Sequence, residues 1–174
     1  MARRDRGFTL IELLVVLVVV GLIAGIGLPR LETLSPKYSL RAAARTIATE
    51  LEYVRSTGIF QRKTYGMRYD IGRNAYYIVL PPEEDAAEIP FDEWPISSAM
   101  RLPALVAIKA VVLADNSVFE GDDVADVMID PLGAAGSHVV ILENSEGHIL
   151  SVKFNALIGT VDFFSEEVGF ARFD

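Results

Sequence analysis

The chain has 174 residues, the length of one ordinary domain, so a multidomain enzyme is not expected. Hydrophobic residues make up 51% and charged residues 23%, which excludes a largely disordered chain. The formal net charge of −8 lacks the basic excess typical of nucleic-acid-binding domains. The absence of cysteine excludes disulfides, thiol catalysis, cysteine-ligated zinc and iron–sulfur clusters.

Charge is distributed unevenly along the chain. Residues 1–30 contain four arginines and two carboxylates, a net charge of +2, so residues 31–174 must carry −10 to give the total of −8. The sequence is therefore a hydrophobic N-terminal stem joined to an acidic body.

An apolar run occupies Phe8 to Leu28, 21 residues in which Glu12 is the only ionisable side chain. A helix of this length spans about 31 Å, which matches the hydrocarbon thickness of a bilayer. We expect a transmembrane helix over 8–28, because a buried core helix usually carries a polar stripe. A secretory signal peptide is the alternative, but the run is long for a signal core and Glu12 interrupts it.

The segment Arg6-Gly-Phe-Thr-Leu-Ile-Glu12 stands at the start of this run. It closely resembles the type IV prepilin signal, in which a basic leader ends in glycine and glutamate is the fifth residue after the cleavage site. The resemblance implies that prepilin peptidase cleaves between Gly7 and Phe8 and methylates the new amino group of Phe8. It also implies that Glu12 meets the N-terminal amine of a neighbouring subunit during filament assembly. A buried carboxylate does require such a cation.

The orientation in the membrane does not follow from counting charges. Three arginines precede the apolar run, but further cations follow it at Arg30, Lys37, Arg41 and Arg45. The resemblance implies a single-pass inner-membrane protein with the leader, 1–7, in the cytoplasm and the C-terminal body in the periplasm. The body would later belong to a periplasmic pseudopilus.

The pattern after the stem predicts a second helical stretch. Ser35-Pro36 is typical of a helix start, and Gly58 is a plausible end. Between them, apolar residues recur at spacings of three and four, at Leu40, Ala44, Ile47, Leu51 and Val54. We expect one long, bent helix, with an amphipathic second half over 29–58 that packs on a sheet.

Residues 59–174 are expected to form a soluble, β-rich periplasmic domain. Alternating or short apolar runs predict strands near 65–71, 76–80, 104–113, 127–129, 139–142, 150–154, 160–164 and 169–173. Glu146-Gly147 is a good hairpin turn. A helix followed only by strands predicts an α+β fold, with the long helix packed on an antiparallel sheet or sandwich.

This order of elements is similar to that of pilin-like subunits. The motifs Pro131-Leu-Gly, Glu146-Gly147 and Gly159-Thr-Val resemble the GspH/FimT group. That group comprises minor pseudopilins of type II secretion and minor pilins of type IV pili. The resemblance implies a structural subunit of the type II secretion pseudopilus, which helps protein export across the outer membrane. Its implied partners are prepilin peptidase, other pseudopilins, the inner-membrane assembly platform and the lipid bilayer.

Two alternative functions remain at this stage. One is a minor pilin of an extracellular type IV pilus, and the other is a single-pass, membrane-anchored binding domain that never assembles. Secretion and piliation phenotypes of a deletion strain would discriminate between the two family roles.

Motifs for catalysis are not found in the sequence. It contains no nucleophile elbow, zinc-binding H-E-x-x-H pair or phosphate-binding loop, so we expect no enzyme activity and no cofactor. His138 and His148 are expected to be separate surface residues. The acidic segment Asp115–Asp130 could bind calcium, but it lacks EF-hand spacing, so a solvated loop and no metal site are expected. No nucleic-acid partner is expected, because such binding requires clustered lysine or arginine, whereas the body is strongly acidic and its end, Gly169 to Asp174, offers only Arg172.

Residues 81–103 form a long segment with five prolines and six carboxylates before Trp94. A loop of this length in a small domain is often functional. Phe91 and Trp94 are candidates for a partner contact. The alternative is that these aromatic residues cover the protein's own sheet.

Overall fold

A computed structural model describes residues 10–27, 36–83 and 89–170 of the chain. It divides into two compact units, Met1–Ser35 and Pro36–Asp174, and the second is called the head below. The first unit contains helix α1, Leu10–Gly27. The described part of the head contains helix α2, Pro36–Gln61, and nine strands. These are β1 Tyr65–Asp70, β2 Ala75–Val79, β3 Met100–Arg101, β4 Val106–Leu113, β5 Val118–Glu120, β6 Val124–Ile129, β7 His138–Asn144, β8 Ile149–Asn155 and β9 Thr160–Phe164.

Helix α2 starts at Pro36, as predicted, because proline is well tolerated in the first helical turn. All five residues of the predicted apolar stripe are buried, together with Ala43, Ala48 and Gly58. The predicted end at Gly58 is wrong, since α2 continues to Gln61. Gly58 instead allows the backbone at Lys63 to approach the helix closely, since a Cβ at position 58 would lie 3.1 Å from the Lys63 carbonyl oxygen. The join between α1 and α2, residues 28–35, lies outside the described residues, and with it the predicted bend.

The strands form two antiparallel sheets, and α2 packs against both of them. The first sheet has the order β3-β2-β1-β6 and the second the order β5-β4-β7-β8-β9. Helix α2 packs chiefly on β8 and β7 of the second sheet and on β1 of the first. One apolar core lies among these three layers, and the predicted α+β architecture is confirmed.

Three details of the strand prediction differ from the structure. Strands β3 and β5 were not predicted, and β5 lies inside the segment expected to be a solvated acidic loop. Strand β6 begins at Val124, three residues before the predicted start. Gly169 and Phe170 are not in a strand, although one was predicted over 169–173, and residues 171–173 lie outside the described part.

The segment after β9, residues 165–170, crosses the outer face of the second sheet. Val168 is buried there in a small apolar cluster with Ala110, Val112, Val139 and Ile141. The Ser151 hydroxyl donates to the Glu166 carbonyl at 2.6 Å. The second sheet is therefore covered on both faces, by α2 on the inner face and by this segment on the outer face.

His138 is fully buried, so the prediction of a surface residue is wrong for it. Its Nδ1 lies 2.7 Å from the Gly136 carbonyl oxygen, which can only accept, so Nδ1 carries the proton. Nε2 therefore accepts a hydrogen bond from the Tyr69 hydroxyl at 2.8 Å. The Phe154 ring packs edge-on at 5.9 Å between centroids. His148, in contrast, is exposed beside Glu146.

Burial lowers the pKa of His138 from 6.5 to about 4, and the hydrogen bond to Gly136 offsets only part of that effect. The unfolded chain therefore binds this proton more readily than the folded chain. The stability that depends on neutral His138 is complete above pH 6.5 and is lost as the pH falls towards 4.

We expect His138 to make the free energy of unfolding fall by about 1.4 kcal/mol per pH unit within that window. Denaturant unfolding of the wild type, His138→Gln and the exposed control His148→Gln at pH 7, 6, 5 and 4 measures this contribution. His138→Gln is expected to have a shallower pH dependence than both other proteins. Equal pH dependence in all three would contradict the assignment.

Candidate functional site

Helix α1 carries the predicted assembly residue, Glu12, in its first turn. Its other described side chains are apolar or glycine, so the helix has no polar stripe along its length. From Leu10 to Leu22 the large apolar side chains are 48–85% exposed in the single chain. A helix that is apolar on all sides requires an apolar environment around its whole circumference.

No helix within the described residues meets the combined requirements of length and apolarity for a membrane span. The predicted span 8–28 extends beyond α1 at both ends, to residues that the structure does not describe. The predicted cleavage bond between Gly7 and Phe8, and the Phe8 amine that would be methylated, also lie outside the described residues.

The position of Glu12 has two electrostatic consequences. A carboxylate in the first turn of a helix interacts favourably with the positive end of the helix dipole. If the surrounding helix is taken into an apolar environment, this carboxylate also needs a cation close by, because an unpaired buried charge costs several kcal/mol. Glu12 is therefore the one acidic point on an otherwise apolar helix.

Phe91 and Trp94, the predicted partner contacts, pack against the head itself. They lie at a short 3-10 turn, Phe91–Glu93, with ring centroids 5.0 Å apart. Trp94 is only 6% exposed, and its indole N–H donates to the Ile89 carbonyl at 3.0 Å. Phe91 covers Gly66 of β1 so closely that a Cβ at Gly66 would lie 2.3 Å from the Phe91 ring. These are the contacts expected of aromatic residues that cover the protein's own sheet.

Arg68 holds the turn that carries these two aromatic residues. Its guanidinium forms a two-point ion pair with Asp126 of β6, at 2.6 and 2.9 Å, and also donates to the Asp92 carbonyl at 2.8 Å. The bond to Asp126 raises the pKa of Arg68, against the opposing effect of its partial burial. The sequence shows no pattern that would link residues 68, 92 and 126, so this clamp was not predicted.

The acidic segment 115–130 is structured by local contacts. The Asp115 carboxylate accepts from the Ser117 amide, which lowers the pKa of Asp115. Asp123 accepts from the Glu120 amide at 3.1 Å, and Asp126 belongs to the clamp. Within the described ranges, no group of three or more histidine, aspartate or glutamate side chains is placed to hold a metal ion.

Comparisons with known proteins address both units of the chain. A family described as "Prokaryotic N-terminal methylation motif" matches residues 2–28. No curated protein sequence matches the chain significantly. Among solved structures, a crystal structure of the minor pseudopilin EpsH from the type II secretion system of Vibrio cholerae matches with a TM-score of 0.58 and 11% identity, over 75% of this chain and 99% of that one. A second EpsH structure from the same organism matches with a TM-score of 0.53 and 10% identity. That match covers 73% of this chain and 97% of the EpsH chain. The chain thus carries an N-terminal methylation motif and has the fold of a minor pseudopilin.

Proposed function

We propose that the protein is a minor pseudopilin, a non-catalytic structural subunit of a type II secretion pseudopilus that helps protein export across the outer membrane. One observation carries the proposal: a single chain combines the N-terminal methylation motif at 2–28 with a body of the EpsH fold. Neither the methylation motif nor the fold alone would indicate this function as specifically as the two together. The motif occurs at the start of an apolar stem suited to packing, and the fold supplies a compact head.

Processing by prepilin peptidase is the first step of the proposed function. Cleavage after Gly7 removes three arginines and one aspartate, which changes the net side-chain charge from −8 to −10. It also creates a new amine at Phe8, four residues before Glu12. The processed chain is stored in the inner membrane through residues 8–28, with the head in the periplasm. The near absence of charge in that run supports this anchoring.

Assembly is the second step. The apolar surface of α1 is buried among the stems of other pseudopilins after the inner-membrane assembly platform moves the subunit out of the bilayer. Glu12 pairs there with the N-terminal amine of a neighbouring subunit, which compensates a carboxylate that is otherwise costly to bury. The head remains outside the bundle of stems and contacts other subunits or the exported protein.

The first expected outcome concerns the mature N-terminus. Mass spectrometry of the protein from its native membrane is expected to give a chain that begins with N-methylated Phe8. Gly7→Leu replaces the small residue before the cleaved bond, so it is expected to leave the leader attached. The matched change Gly21→Leu, within α1, has nothing within 4 Å of its Cβ position and is expected to leave cleavage intact. A chain that begins at Met1, or near Leu28, would contradict the proposal.

The second expected outcome concerns Glu12. Glu12→Ala is expected to leave cleavage and membrane level unchanged but to lower incorporation into filaments by about tenfold or more, because the neighbouring amine loses its counter-charge. Sheared filaments are quantified by immunoblot against the membrane pool. Glu52→Ala, which removes an exposed carboxylate from α2, is the control and is expected to assemble normally. Normal incorporation of Glu12→Ala would rule out the pairing role.

A further inference from the structure

Three cations form a ridge on the exposed side of α2. Lys37, Arg41 and Arg45 are spaced by four residues, so they lie one above another along about 12 Å of the helix. All three side chains are exposed. None of the ion pairs between described residues of the head involves them. On a head whose net charge is strongly negative, this ridge is a local positive site.

The ridge forms one wall of a groove. The first turns of α2, the β7–β8 turn and the residues after β9 enclose a volume of about 530 Å³. A smaller groove of about 220 Å³ adjoins it and shares Arg41, Leu150 and Ser165. Together the two are lined by Lys37, Leu40, Arg41, Arg45, Gly147, His148, Ile149, Leu150, Phe163, Ser165, Glu166 and Glu167.

The lining combines positive charge with an apolar floor. Arg41 and Arg45 supply planar donors that suit phosphate oxygens, and Lys37 adds a point charge. Phe163, which is 46% exposed, supplies most of the apolar surface beside them, and the largely buried Leu150, 9% exposed, also lines the groove. Two carboxylates, Glu166 and Glu167, lie at the rim, and Glu167 is already paired with Lys109. The groove is therefore suited to an amphiphile whose anionic group meets the arginines and whose first methylene groups meet the floor.

The position of the groove in the chain favours a lipid over a soluble anion. Only residues 28–35 separate α1 from α2, so the ridge follows directly after the apolar stem in sequence. A stem held in a bilayer keeps phospholipid headgroups at a high effective concentration for the residues that follow it. Basic residues beside a membrane segment are attracted to anionic lipids by about 1 kcal/mol each. A soluble anionic macromolecule would lack this high local concentration to offset the net repulsion of the acidic head.

We propose that this groove binds the phosphodiester headgroup of an anionic phospholipid while the protein is stored in the membrane. The inference rests on the membrane anchoring in the proposed function. Lys37, Arg41 and Arg45 hold the phosphate, while Leu150 and Phe163 contact the start of the acyl chains. Lipid binding of this kind orients the head on the membrane before assembly, and the lipid is left behind when the subunit enters a filament.

Native mass spectrometry of the full chain, released from nanodiscs of equal phosphatidylglycerol and phosphatidylcholine, tests the proposal. The wild type is expected to retain phosphatidylglycerol over phosphatidylcholine by about tenfold, because both lipids carry a phosphodiester but the quaternary ammonium of phosphatidylcholine cancels its charge and opposes the cationic ridge. Arg41→Gln/Arg45→Gln is expected to lose most of this preference. The matched control, Arg62→Gln/Lys63→Gln, removes two exposed cations at the other end of α2 and is expected to keep it. The leader arginines are present in all three proteins, so any lipid binding by them does not affect the comparison.

Competition separates the possible ligands. Excess glycerol 3-phosphate or a polyglutamate peptide is expected to leave phosphatidylglycerol bound. Full displacement by the phosphate ester would indicate a soluble phosphate site, and displacement by the peptide an acidic protein surface. Either result, or an unchanged preference in Arg41→Gln/Arg45→Gln, would overturn the lipid assignment. The measurement needs no filament, so its failure is distinguishable from a failure of assembly, which the Glu12 variants report.

Discussion

The carboxylate of Glu12 is the constraint around which the stem is organised. It is the only ionisable side chain between Phe8 and Leu28, and the helix around it is apolar on all sides. Burial of such a helix is favoured when the carboxylate is close to a cation, because desolvation of an uncompensated charge costs several kcal/mol. The leader carries three arginines, and cleavage after Gly7 would remove them all. The new amine at Phe8 would then be the cation nearest in sequence, and a neighbouring subunit would offer the same group.

The two units of the chain contribute different physical properties. The stem provides a continuous apolar surface that differs little from one side to another. In the head, packing fixes the shape: α2 lies against both sheets, and Arg68, paired with Asp126, holds the 91–94 turn through the Asp92 carbonyl. The head is acidic overall, and Lys37, Arg41 and Arg45 form a cationic ridge on α2. The charges on its surface affect which anionic or cationic partners it can meet, whereas in the stem the charge is confined to Glu12.

The features that could be predicted from the sequence are those in which apolar residues recur at a short, regular spacing. The stripe on α2 and the alternation in β1 are visible within ten to fifteen residues, and both were found in the structure. Strands β3 and β5 could not be predicted, because they are only two and three residues long. Their extended conformation is set by pairing with β2 and β4 and not by a periodic pattern of their own. The burial of His138 depends on Tyr69, which is 69 residues away in sequence. Similarly, Arg68 meets Asp126 only because β1 and β6 are neighbours in the first sheet.

The pairing of Glu12 with a neighbouring amine can be measured directly in assembled filaments. A carbodiimide joins a carboxylate to an amine only when the two are in contact, and peptide mass spectrometry identifies the bond. We expect an amide between the Glu12 side chain and the N-terminal residue of an adjacent subunit. Filaments that contain the protein and give other carbodiimide cross-links, but never this one, would contradict the central role assigned to Glu12.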